Sequence, residues 1–324
     1  MSNGPLRFAV AVALCLCISD GTASTSWAQS LPDKPLRFFV PFPAGGSSDA
    51  VARAMQPALE KILRQPVVVE NRAGAGGMLG VDAVAKAVPD GATIGLAGAG
   101  ALGVNIGERT RRPYDPEKDL APISKAAESP FILVASPTLN ASSLGDVIRL
   151  AKAEPGKLSL AHGGNGTAMQ LAALTFVAMA DVKIGLVPYR GTAPAVTDVI
   201  GGHVPLGIAD PTPSMGAIGE GKLKPIAVST KQRFAMLPDV PTFDELGLKD
   251  FELTAWLGIV APAATPRELL TKLNAAVVAA LKDPEVARRI RTVGFEPLPT
   301  TREEFAAYIA NEIRKAEKVA GPPN

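Results

Sequence analysis

From residue 36 onward, short apolar runs alternate with longer stretches whose apolar positions recur every three or four residues. The first run, Leu36–Val40, predicts a strand. Ser48–Leu63 follows with Ala50, Val51, Ala54, Met55, Ala58, Leu59, Ile62 and Leu63 on one stripe, which predicts a helix. Pro57 lies inside that stripe and is expected to kink or split it, because proline lacks an N–H and crowds the preceding turn. Val67–Val69, Thr93–Ala97, Phe131–Ala135, Leu158–Ala161, Ile184–Val187, Pro205–Ala209, Pro225–Val228 and Leu257–Val260 read as further strands. Helical patterns fall at Met78–Ala87, Leu144–Ala153, Ala168–Ala178 and Ala193–Ile200. Strands alternating with helices predict an α/β protein with largely parallel sheets.

The C-terminal portion is helical and clearly punctuated. Thr265-Pro266-Arg267-Glu268 reads as a capping box with proline at the first helical position. Asp283-Pro284 opens the next helix and Gly294 stops it. Thr301-Arg302-Glu303-Glu304 is a second box, opening a helix with Phe305, Tyr308, Ile309 and Ile313 on one side. No low-complexity linker separates domains, so the chain is expected to cross between lobes more than once.

The N-terminus changes the setting. A short segment with one cation, Arg7, leads into the apolar run Phe8–Ile18, and Ser26-Trp27-Ala28 offers small residues for cleavage. This is the layout of a secretory signal, residues 1–28, with a cut expected after Ala28 and Ala23 as the lesser alternative. Cys15 and Cys17 sit in poor lipid-attachment contexts and leave with the signal, so the mature chain has no thiol chemistry. Roughly 300 residues remain, enough for two domains with separate cores. A net charge of +2, with 20% charged and 5% aromatic residues, offers no basic patch or aromatic platform for nucleic acid.

Most candidate chemistry is weak. Gly98-Ala99-Gly100-Ala101-Leu102-Gly103 matches the dinucleotide spacing after a predicted strand, but Gly107 and Pro113 preclude the long helix that must follow. It reads as a flexible loop, and no cofactor is expected. The two histidines, His162 and His203, lie far apart without clustered ligands or a nucleophile loop, so no metal site is expected.

A stronger signal is a repeated unit. Phe42-Pro43-Ala44-Gly45-Gly46-Ser47-Ser48-Asp49 joins a predicted strand to a helix. His162-Gly163-Gly164-Asn165-Gly166-Thr167 does the same in the second half. Each places backbone N–H groups and the positive end of a helix dipole at the carboxyl edge of a sheet. Two such ends facing one cleft would hold a small anion. Gly46 and Gly164 are expected to provide close approach or positive φ.

These loops resemble one family, as do residues 65–77 (QPVVVENRAGAGG), 89–91 (PDG), 113–119 (PYDPEKD), 187–191 (VPYRG) and 237–242 (LPDVPT). The mature chain is similar throughout to the extracytoplasmic receptors of tripartite tricarboxylate transporters, often called the Bug family. The resemblance implies a two-lobed, type II-like periplasmic binding protein, each lobe a mostly parallel sheet flanked by helices. It would close like a Venus flytrap on a small organic acid, without being an enzyme, and deliver it to membrane permease subunits as a monomer. Carried over, the carboxylate is pinched by Phe42, Pro43, Ala44, Gly45, Gly46, Ser47 and Asp49 from one lobe. From the other come His162, Gly163, Gly164, Asn165, Gly166 and Thr167. Tyr189, Arg190, Gly191, Thr192 and Asp210 face the rest of the ligand. Lobe 1 is expected to be discontinuous, 30–128 and 255–324, with lobe 2 at 129–254. His162 and Leu160 depart from the family's small and aromatic residues. His162 is expected to tune ligand choice and, when protonated, to raise affinity on mild acidification. The rival reading is an exported hydrolase using Asp210 and a histidine.

Overall fold

The computed structural model describes residues 31–104 and 113–320. The expected signal segment and Gly107 lie outside the described residues. The first half is built on β1 (Leu36–Val40), α1 (Ser47–Leu63), β2 (Val67–Asn71), α2 (Met78–Ala85), β3 (Thr93–Gly98) and the long β4 (Leu120–Pro130). The chain then crosses into β5 (Ile132–Ala135), α3 (Leu144–Ala153), β6 (Ser159–His162), α4 (Ala168–Met179), β7 (Gly185–Pro188) and α5 (Thr192–Ile200). That half is completed by β8 (Leu206–Ala209), α6 (Pro211–Gly219) and β9 (Lys224–Val228). It returns through β10 (Thr254–Pro262) to α7 (Arg267–Lys282), α8 (Pro284–Thr292), β11 (Glu296–Pro297) and α9 (Arg302–Ala320).

Among the described residues the strands form two sheets, ordered β11-β4-β10-β3-β1-β2 and β7-β6-β8-β5-β9. β1 pairs in parallel with β2 and β3, and β6 with β7 and β8. The strands that carry the chain between sheets, β4, β10 and β5, pair antiparallel. The sheets are therefore mixed rather than largely parallel. Helical crossovers impose parallel pairing only within each βαβ set, while the crossing strands run back directly.

Each sheet is covered on both faces. Leu36, Phe38, Ile94 and Ile259 pack against Met55 and Leu59 of α1 and Leu273 and Val277 of α7. Phe39, Trp256 and Val260 face Val81 of α2 and Phe305 and Ile309 of α9. In the second half, Phe131, Leu133 and Leu160 pack with Phe176 of α4, Phe243 and Phe251. The crossing segments are tied by buried Ser229, whose hydroxyl accepts from the Phe131 N–H at 2.8 Å and donates to the Leu253 carbonyl at 2.5 Å.

Two local expectations fail for identifiable reasons. Pro57 does not split α1, which runs unbroken to Leu63. Pro57 and Arg53 are both exposed, so water can take the carbonyl the proline leaves unbonded. Thr265 does not cap α7. The helix starts at Arg267 with Pro266 as N-cap, and the buried Thr265 hydroxyl has no hydrogen-bond partner. The box at Thr301 does form: its N–H donates to Glu304 at 2.8 Å, and the Glu304 N–H donates to its hydroxyl at 3.1 Å. Asp283 caps α8, and Gly294 ends it with φ at 85°.

Candidate functional site

The parallel strands of both sheets end at the same cavity, and the loops beyond them build it. After β1 the chain turns through Phe42–Gly46 into α1. No side chain caps α1, which leaves the N–H groups of Ser47 and Ser48 at the cavity wall. Asp49 is buried and does not line the cavity. Its carboxylate accepts from the Gly45 N–H at 3.0 Å, Arg53 Nε at 2.9 Å and Asn71 Nδ2 at 2.9 Å, while Asn71 also donates to the Phe42 carbonyl. Burial alone would raise its pKa. The donors from Arg53, Gly45 and Asn71 outweigh burial and hold it below the usual carboxylate range. Asp49 therefore fastens the loop. Gly46 sits at φ −83°, and an added Cβ would meet only the Pro43 carbonyl, at 3.4 Å; the left-handed position is Gly45.

The second loop is organised differently. His162 is 0% exposed and lines neither cavity nor groove. Its Nδ1 lies 3.1 Å from the Gly164 carbonyl and 3.3 Å from the Gly164 N–H, and its Nε2 has no partner. Burial pushes the ring below its ordinary pKa against the Gly164 contact, so it is neutral near pH 7. The expected affinity gain from a protonated ring is withdrawn, because a charge buried there lacks both water and a ligand contact. Leu160 likewise belongs to the core.

This loop also consumes its own donors. The Gly166 N–H donates to Gln170 Oε1 at 2.7 Å, and Thr167 caps α4 by accepting from the Gln170 N–H at 3.3 Å. The Thr167 hydroxyl donates to the Gly164 carbonyl at 2.7 Å. Gly163 and Thr167 line the cavity, Gly164 and Asn165 the groove outside, and Gly166 neither. In this half α5 and α6 both begin without a side-chain cap, and α6 opens with Pro211, which has no N–H, so the end with donors at the cavity is that of α5. Its N-cap, Gly191, has φ at 125°, and Gly191, Thr192 and Ala193 line the cavity. Pro194 occupies the third helical position, where a missing N–H costs nothing.

The cavity measures about 110 Å³ and is walled by Phe42, Phe131, Met169, Trp256 and Phe295. It shares Phe42, Pro43 and Arg190 with a wider groove of about 770 Å³, on whose rim Tyr189 sits. Arg190 is exposed and forms no ion pair among the described residues. Tyr189 donates to Asp198 at 2.5 Å, and burial together with that anion pushes its pKa to about 12.

Asp210 ends β8 and is the N-cap of α6, with Pro211 at the first helical position. One carboxyl oxygen accepts from the Ser47 hydroxyl of the first half. The other accepts from Thr192 Oγ1 at 3.0 Å. Burial raises its pKa to about 6, with the two hydroxyls pulling the other way. Neither histidine is bonded to it among the described residues, and no group of three metal-ligating side chains occurs there.

Several lining residues were not expected from sequence. Gly98–Ala101 was read as a flexible loop, yet it lies on the cavity. Gly76 and Gly77, before α2, also contribute. The signal was available: glycines beyond the carboxyl end of a parallel strand mark where ligands bind in α/β sheets. These glycines let the halves touch. A Cβ on Gly100 would fall 1.8 Å from the Gly166 carbonyl, and one on Gly76 would fall 2.4 Å from that of Asn165.

Solved structures of periplasmic binding and transport proteins share this fold. The periplasmic binding protein BugD superposes with a TM-score of 0.84 at 34% identity, covering 89% of this chain and 97% of its own. MatC from Rhodopseudomonas palustris with bound malate gives 0.84 at 32% identity, covering 89% and 99%. In sequence, Protein BugT of Bordetella pertussis is 35% identical over 296 residues, 91% of each chain. The model of the Tripartite tricarboxylate transporter family receptor matches residues 51–321. The chain belongs to this receptor family and is a periplasmic solute-binding receptor.

Proposed function

We propose that this receptor captures a small organic carboxylate between two lobes, 30–128 with 255–324 and 129–254, and hands it to the permease subunits of a tripartite transporter. The observation that carries the reading is that the uncapped N-termini of α1 and α5 line one apolar cavity. Each supplies free N–H groups and a partial positive charge worth about 0.3–1 kcal/mol toward an anion. Ser47, Ser48, Thr192 and Ala193 hold the carboxylate by backbone N–H groups, and Arg190 at the rim meets a second acid group. Phe42, Pro43 and Ala44 close one side, and Gly163 and Thr167 the other. Asp49, His162, Gly164 and Gly166 shape the loops, and Tyr189 is leashed to Asp198. The malate held by MatC is of a size that supports a short dicarboxylate. Ser229 ties the two segments where they cross between the halves. The receptor acts as a periplasmic monomer after cleavage behind Ala28, binds its ligand without transforming it, and needs no cofactor.

Native mass spectrometry of freshly purified protein, beside calorimetry with malate and succinate and a turnover assay on ester and amide panels, tests this. Binding with intact ligand recovered is the expected result. Hydrolysis, or the absence of any bound or binding acid, contradicts it.

A further inference from the structure

An ionised carboxyl shut in an apolar cavity has lost its water and needs a donor or a cation in return. Asp210 is 4% exposed and faces the cavity. An ionised carboxylate offers about four acceptor positions. Ser47 takes one on the first oxygen and Thr192 one on the second, so both oxygens are engaged and oriented from opposite halves.

What surrounds Asp210 is neutral. α1 presents Ser47 and α5 presents Thr192, which also lies 3.4 Å from Met169 of α4. Its own helix presents Ser214, bonded to the Asp210 backbone carbonyl at 2.9 Å. The turn after α8 presents the apolar Phe295 and backbone, with Thr212 donating to the Val293 carbonyl at 2.7 Å. Asp49 of α1 is committed to Arg53 and Asn71, and Arg190 stands exposed at the rim. Among the described residues no Lys, Arg or His pairs with Asp210.

We propose that Asp210 reads a hydrogen-bond donor on the ligand, so that the receptor prefers acids bearing a protonated amine, then those bearing a hydroxyl, over plain acids of the same skeleton. This rests on the carboxylate-receptor reading above. An ammonium group supplies both the donor and the missing charge. A hydroxyl supplies only the donor, and a methylene supplies neither. The ligand's carboxylate takes the helix ends, and a second one takes Arg190 at the rim. With Asp210 raised to about 6 by burial, the preference holds above that pH. It fades below; because the second carboxyl of the plain diacids also takes up a proton near pH 5, the Asp210→Asn variant at the same pH separates the two effects.

The test is calorimetry on the purified protein with two matched sets: succinate, malate and aspartate, then glutarate, 2-hydroxyglutarate and glutamate. At about pH 8 the amine-bearing member binds about tenfold or more tighter than the plain acid, narrowing to within about threefold at about pH 5. Asp210→Asn, checked for folding by its thermal melt, shows the narrowed range at both pH values. Should that variant not fold, the pH series on the native protein decides. Plain acids binding as well as the amines at pH 8 overturn the inference and leave the receptor reading standing. So does a ranking that survives both acidification and Asp210→Asn. If no member of either set binds, the receptor reading fails and the inference with it.

Discussion

The two glycine loops occupy matching places in the two halves, each following the central parallel strand of a sheet and leading into a helix. Their hydrogen bonds run in opposite directions. In the first, Asp49 grips the loop from behind through Gly45 and Asn71, and the end of α1 stays open to the cavity. In the second, Thr167 and Gln170 close the end of α4, and His162 is folded beneath. Similar sequence signals thus yield one loop with donors to give and one that has used them. The open helix end of the second half lies one crossover later, at Gly191 and Thr192. A glycine pair marks where a backbone comes close, whereas the cap residue decides whether its N–H groups remain available.

The largest effect that would break this contrast comes from the contact between halves. Gly100→Val places side-chain atoms where the Gly166 carbonyl lies. Each half should fold, yet closure should be blocked and the acid should bind about a hundredfold more weakly, ~2.7 kcal/mol. Small-angle scattering of this variant with ligand should show an expanded profile. A compact profile with full affinity would refute the closure geometry.

Next come the loops themselves. Asp49→Ala removes three hydrogen bonds, one of them from Arg53, and should lower stability by about 1–3 kcal/mol and affinity by tenfold or more. Thr167→Ala removes a helix cap and should cost about 1 kcal/mol of stability, with affinity changed less than about threefold. Chemical denaturation and calorimetry on both variants sharpen the comparison. Equal losses of affinity would mean that both loops serve the ligand alike.

The smallest effect concerns pH. His162 is depressed by burial, so its contribution to stability is present above its unfolded value of 6.5 and is lost as pH falls below it. Asp210 is raised, so its contribution is present below 3.8 and is lost as pH rises through about 6. On acidification the two act in opposite directions. His162→Asn should therefore make the thermal midpoint rise, relative to the native protein, on acidification from 7 to 5, while acids keep their ranking. A changed ranking at constant pH would return His162 to the pocket.

Elements set by neighbouring residues were legible in the sequence. The Thr301 box, the Asp283 cap and the stripe of α1 all follow from local chemistry. β4 was not, because Leu120–Pro130 carries prolines at 122 and 130 and no alternation. It becomes a strand by pairing with β10 along its whole length. α6 was missed because Pro211 and Pro213 look like breakers, although both fall in the first turn, where no N–H is required. At the site, the loops could be located because glycine clusters are local signals, whereas Asp210 was placed there only by the family resemblance. That the second loop is capped was also written locally, in the capping-box spacing of Thr167 and Gln170, whereas Asn71, which fastens the first, acts across strands. The floor formed by Gly98–Ala101 was masked by its likeness to a nucleotide loop.

The claim that the carboxylate sits between the ends of α1 and α5 is tested most directly by a crystal structure with the tightest acid of the succinate, malate and aspartate set. The account predicts carboxylate oxygens about 2.7–3.2 Å from the N–H groups of Ser47 or Ser48 on one side and Thr192 or Ala193 on the other. A carboxylate held instead by the N–H groups of Gly163–Thr167, with α5 untouched, would contradict it.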